Sequence, residues 1–303
     1  MKKPSLVNRI LVPLQLDANS TSILSYAGRL ANALEADLLL LHCTGTRELT
    51  FTMQSRAIQA LRTLGERQLA HAGKAGGDSV KFDCVVRPES LAEAIKAVVQ
   101  DYAADLVLMQ ANSGTTTDLP EPNQAAVVME AVEVPVMVIP KGAAYREVKH
   151  LVFGTDFTDT DPQVLNRIKK FSEQTGARLD LVQVYTEADT QQLSAMNQAM
   201  RGVEKLLNSS RVSCTLMEEE DVLEGISDYA EEAGADMLVL ATQDSYLPQR
   251  LLGSAYLKTM AYHTQIPLLV FRQLKRKPCS GCCATCTGKK PEVQTADSLK
   301  IIA

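Results

Sequence analysis

The chain has no tryptophan, and aromatic residues fill only 5% of its 303 positions. Its cores must therefore be built from Leu, Val, Ile, Ala and Met. It also lacks an excess of positive charge. A formal net charge of −5 argues against nonspecific nucleic-acid binding, because neutralising a phosphate backbone needs a basic face. No apolar run approaches the roughly 20 residues that span a bilayer. The opening Met1-Lys2-Lys3-Pro4 leads only to a strand-length apolar run between Arg9 and Gln15. That is not a signal-peptide core, so the expected compartment is the cytoplasm. A disulfide framework is missing too. Of seven cysteines, Cys43, Cys84 and Cys214 stand singly in apolar stretches, and the other four crowd near the end. No G-x-S-x-G, H-E-x-x-H or Walker-type glycine loop occurs. His71, His150 and His263 do not group with cysteines or carboxylates. No catalytic residue is assigned, and the chain is not expected to be an enzyme.

What is present is a repeat. Apolar residues at 46% and charged residues at 22% are ordinary for a globular protein, and the length suits two domains of about 140 residues. Asn8–Gln15 lines up with Lys149–Asp156, and Glu35–Cys43 with Gly176–Val184, both at an offset of 141. Ser90–Ile95 meets Asp221–Ile226 at 131, and Asp105–Met109 meets Asp236–Leu240 at the same offset. Val134–Val138 then meets Ile266–Val270 at 132. Small length changes account for the drift.

Each half alternates strand and helix. In the first, the short apolar runs 9–14, 37–43, 80–86, 105–110 and 134–140 are unbroken, as in parallel strands covered on both faces. Between them, Ile23, Ala27, Leu30, Ala31 and Leu34 keep helical spacing, with Ser20 or Thr21 as N-cap. Leu91, Ile95, Val98 and Val99 form another such stripe. The pattern gives an α/β fold of two tandem, doubly wound, mostly parallel five-stranded sheets. The domains are read as 1–143, 144–274 and a Cys-rich tail, 275–303. Val134–Ile139 and Ile266–Phe271 are apolar edge strands; pairing them antiparallel would hide both edges and make an intramolecular pseudo-dimer.

Ligands of open α/β sheets sit beyond the carboxyl ends of the strands, where strand order reverses. In the second half those ends are Asp156, Val184-Tyr185 and the loop from Ala241 to Ser254. With the doubled pattern, the segment Arg250-Leu251-Leu252-Gly253-Ser254-Ala255 and the closing strand Ile266–Val270, the chain resembles the universal stress protein family over residues 6–141 and 147–273. The resemblance implies an adenine-nucleotide-alpha-hydrolase-like fold and an ATP site. Asp156 would contact the adenosine portion, and Val184 would line the adenine pocket. Gly253 and Ser254 would hold phosphates with backbone N–H groups at a helix N-terminus. Three departures from the family loop G-x2-G-x9-G-[S/T] stand out. Ala241 replaces the first glycine and Asp244 the second, and eight residues rather than nine separate Asp244 from Gly253. Asp244 would set a carboxylate near the phosphates, a repulsion only a bound cation could offset.

The first half departs further. Gln15 stands in place of the carboxylate, and Pro120 and Pro122 remove N–H donors from the loop after its fourth strand. Triphosphate binding in the family manner is not expected there. In the tail, Cys279, Cys282, Cys283 and Cys286 suit either zinc ligation or a reduced, redox-responsive segment, their basic neighbours favouring the thiolates. Two functions compete: a stress-response regulator binding an adenine nucleotide in its second half, and a scaffold that has lost nucleotides from both halves. No membrane or nucleic-acid partner is expected; homodimers beyond the pseudo-dimer are compatible with the sequence.

Overall fold

The computed structural model describes residues 5–17, 20–46, 48–70, 79–111, 124–242 and 266–273. Residues up to Gln273 form one compact unit. Five strands and four helices come first: β1 (Arg9–Pro13), α1 (Ser20–Leu34), β2 (Asp37–Cys43), α2 (Phe51–Leu69), β3 (Phe82–Arg87), α3 (Leu91–Asp101), β4 (Leu106–Gln110), α4 (Gln124–Ala131) and β5 (Val136–Ile139). The series then restarts with β6 (His150–Gly154), α5 (Pro162–Thr175), β7 (Arg178–Tyr185), α6 (Leu193–Leu207), β8 (Val212–Glu218), α7 (Val222–Glu232), β9 (Met237–Thr242) and β10 (Leu268–Arg272).

The two expected sheets are one. The order β3-β2-β1-β4-β5-β10-β9-β6-β7-β8 runs through ten strands. All neighbours are parallel except β5 and β10, which pair antiparallel with Met137 opposite Leu269. The last strands of the two halves are both almost wholly buried, and pairing them satisfies each edge and merges the sheets. Strand side chains alternate between two cores. Ile10, Leu38, Leu40, Leu151, Phe153 and Leu179 pack under α1, α2, α5 and α6. Leu11, Leu39, Leu41, Val152, Val182 and Leu238 pack under α3, α4 and α7.

The repeat is repeated in detail. Asp105 Oδ2 accepts the backbone N–H groups of Asn8 and Arg9, and Asp236 Oδ2 accepts those of Lys149 and His150. Cys84 sits opposite Leu40 and Cys214 opposite Leu181, the same place in each half. Local signals end the helices. Asp161 caps α5 by accepting from the Gln163 N–H, with Pro162 in the first turn, and Gly176 closes it at φ 75°. α1 already begins at Ser20, whose N–H and hydroxyl both donate to Asp17 Oδ1. Ser20 is thus inside the helix and not its cap.

Candidate functional site

From β6 the chain leaves through α5 to β7 on one side, while β9 leads to β10 on the other. The carboxyl ends of β6 and β9 are therefore the place in the second half where strand order reverses, and β1 and β4 are its counterpart in the first.

Asp156 lies two residues past β6 and is exposed. Its Oδ1 accepts both the backbone N–H of Thr158, at 2.8 Å, and that residue's hydroxyl, at 2.7 Å. It is therefore the first residue of a tight turn, and Asp161 is the helix cap. The turn is anchored from below: buried Phe157 donates its N–H to the buried side chain of Gln183 at 2.9 Å.

Val184 lies in β7 with 7% of its surface accessible, against α7. The helix approaches so closely that a Cβ on Gly225 would sit 3.0 Å from Val184 Cγ1, and one on Gly154 would sit 2.7 Å from Ile226 Cδ1. Those two glycines let α7 seat on β6 and β7. Ala241 lies in β9 opposite Phe271 of β10. Asp244, Gly253 and Ser254 lie outside the described residues, as do Cys279, Cys282, Cys283 and Cys286. Of the second-half site, the structure thus brings Asp156, Val184 and Ala241 to one rim.

Gln273 joins this rim without any sequence signal. Its N–H donates to Thr242 O at 2.8 Å and its side chain to Asp159 O at 2.6 Å, tying the end of β10 to the turn after β6. The described stretches after β6, β7 and β8 are acidic. Asp156, Asp159 and Asp161 follow β6, Glu187 and Asp189 follow β7, and Glu218 to Asp221 close β8, with no Lys or Arg in those stretches. The backbone N–H of Thr186, with its hydroxyl, holds the Asp189 carboxyl below the usual carboxylate range. A highly charged anion needs a counter-cation here.

In the first half Gln15 is exposed. The His42 ring meets Leu14 O through Nδ1 at 2.9 Å, joining the ends of β1 and β2. Among the described residues, no group of three His, Cys, Asp or Glu is placed to hold a metal.

One expectation about histidines is corrected. His150 Nε2 lies 2.6 Å from Asp180 Oδ2, both side chains at most 9% exposed. Nδ1 meets Ala233 O at 3.0 Å, Ser213 donates to Asp180 Oδ1, and the Arg178 guanidinium stands 3.3 Å from Asp180 Oδ2. Register makes the pair: His150 opposes Arg178, which brings Asp180 of the same strand within reach. It lies at the amino ends of β6 and β7, opposite the rim.

Sheet order and two cores define a doubly wound α/β protein. The model of the Universal stress protein family matches residues 7–140 and again 147–272. The chain belongs to that family, in a tandem form. A universal stress protein from Archaeoglobus fulgidus superposes with a TM-score of 0.61 at 14% identity, over 88% of this chain and 98% of its own. A functionally unknown Pseudomonas aeruginosa protein gives 0.54 at 18% identity, over 88% and 92%. No curated protein is significantly similar in sequence. No described helix is long and apolar enough to cross a membrane.

Proposed function

We propose that this chain is a cytoplasmic stress-response regulator whose second domain, 144–274, binds ATP or a related adenine nucleotide, while the first, 1–143, does not. One observation carries the reading. Asp156 stands exposed at the strand-order reversal, its Oδ1 taken by Thr158 and its Oδ2 without a partner among the described residues. A fixed, half-satisfied carboxylate there can accept the hydroxyls of a ribose. In this reading Val184 borders the base, Gly253 and Ser254 cradle phosphates, Ala241 and Asp244 flank them, and the acidic rim makes binding depend on a divalent cation. The protein acts by binding and signalling rather than by turnover. Zinc or oxidation at Cys279, Cys282, Cys283 and Cys286 of the tail, 275–303, adds a second input.

Calorimetric titration tests it. ATP with magnesium should bind the wild type, and Asp156→Ala or Gly253→Asp should weaken it about tenfold or more, the loss of a charged hydrogen bond or of close backbone approach. Gln15→Ala, in the first half, should leave the affinity unchanged. No heat with ATP, ADP or AMP would leave the scaffold reading, which the enclosure of Val184 beneath α7 favours.

A further inference from the structure

The helices on the two faces of the sheet carry opposite charge. On one face α2 bears Arg56, Arg62 and Arg67 against Glu66, and α1 bears Arg29 alone. Beside them α5 has Arg167, Lys169 and Lys170 against Glu173, and α6 has Arg201 and Lys205 against Glu204. Those four helices hold nine cations and three carboxylates. On the other face α7 is purely acidic, with Glu224, Asp228, Glu231 and Glu232 all exposed. α3 and α4 add Glu93, Asp101 and Glu130 against Lys96. The described helices there hold seven carboxylates and one lysine. Among the described α-helices, a chain of net charge −5 thus keeps an excess of six positive charges on one face and six negative on the other.

Some of these charges are spent inside the molecule. Asp101 is paired with Arg87, and Lys169 donates to Leu207 O. Arg56, Arg67, Lys170, Asp228, Glu231 and Glu232 are exposed and have no ion pair among the described residues.

From this polarity we infer that a second copy of the chain docks front to back, the basic α2–α1–α5–α6 face of one molecule against the acidic, α7-led face of the next. Complementary charge on the two faces of one molecule selects that occupant, because each copy carries both halves of the contact. β5 and β10 lie antiparallel in one sheet with α1 and α5 on the same side, so the pseudo-two-fold axis runs normal to the sheet and copies add along it. The contact is heterologous, and it grows into open stacks rather than closed dimers. It is also weak and salt-sensitive, because exposed charges are screened over about 10 Å at 0.1 M salt.

Analytical ultracentrifugation of the full chain tests this. In about 20 mM NaCl the average mass should rise with concentration above the 33.0 kDa monomer, and about 0.5 M NaCl should return it to one chain or to a salt-stable unit. The variant Arg56→Glu/Arg67→Glu/Lys170→Glu, whose four basic helices become neutral, should not grow at low salt. Neither should Asp228→Lys/Glu231→Lys/Glu232→Lys, whose cations near the end of α7 suit the helix dipole. An equimolar mixture of the two should associate again, a recovery that misfolded variants cannot give. Constant mass at low salt overturns the inference, as does growth that survives 0.5 M NaCl or the reversals. Growth seen only after residues 275–303 are removed also overturns it.

Discussion

Gln174 holds Val7 from both sides: its Oε1 accepts the Val7 N–H at 3.2 Å and its Nε2 donates to the Val7 carbonyl at 3.0 Å. The same side chain accepts from Leu6 N–H and donates to Leu34 O and Ser5 Oγ. One residue of α5 in the second half thereby fastens the entry to β1 and the end of α1 in the first. It supplements the β5–β10 ladder, the Arg272 bond to Glu130 O and the edge-on packing of Tyr145 against Tyr26.

Removing that clamp should cost stability without touching either core. Gln174→Ala is expected to lower the stability by about 2 kcal/mol, with part-buried backbone donors left to water. Urea unfolding followed by circular dichroism checks it through a lower midpoint.

The repeat makes a backbone prediction. Ala103 follows α3 at φ 49°, where Gly234 follows α7 at φ 62°, and Glu35 follows α1 at φ 53°, where Gly176 follows α5 at φ 75°. Left-handed backbone disfavours a Cβ. Ala103→Gly should therefore stabilise the chain by about 0.5 kcal/mol, net of the extra freedom glycine gives the unfolded chain. Gly234→Ala, where nothing lies within 4 Å of the added Cβ, should destabilise it by about 1 kcal/mol, a purely conformational cost. The thermal midpoints of the two variants should move in opposite directions.

The buried pair His150 and Asp180 offers a sharper contrast. Asp180→Ala should cost about 3 kcal/mol, because a buried polar ring, a guanidinium and the Ser213 hydroxyl lose their acceptor. Replacing both partners with Leu removes the mismatch and should cost far less. Denaturant midpoints of the two variants separate these cases, and equal losses would contradict the idea that the pair's cost lies in breaking it.

The thiols of the body should be unreactive near neutral pH. Burial first and Glu89 second push the Cys43 thiol up to about 11, and burial with Glu204 and Asp180 pushes Cys214 up to about 12. Peptide-resolved alkylation near pH 8 should label both more than about tenfold faster in urea than in buffer, since the thiolate is the nucleophile. The sign for stability follows. Unfolded thiols lose their protons near pH 9 while the folded ones retain them, so this contribution is intact below pH 9 and is lost as pH climbs toward 12.

The architecture was legible because it is written locally. Unbroken apolar runs mark each strand of the parallel ladders, and a repeat of about 140 residues places Cys84 and Cys214 at matching registers. The apolar Val134–Ile139 and Ile266–Phe271 runs announced their own pairing. Long-range polar contacts carry no such period. Nothing around Gln174 or Gln273 marks them as bridges, and His150 with Asp180 becomes visible only once β6 and β7 are in register. Asp156 was legible as a residue at the rim, but its turn through Thr158 was not, because Asp159, Thr160 and Asp161 offered equally good capping groups.

If one rim of this pseudo-symmetric chain takes ligand, stoichiometry measures it most directly. Equilibrium dialysis of ATP with magnesium against the intact protein should saturate at one nucleotide per chain. Two per chain, or none, would contradict the account.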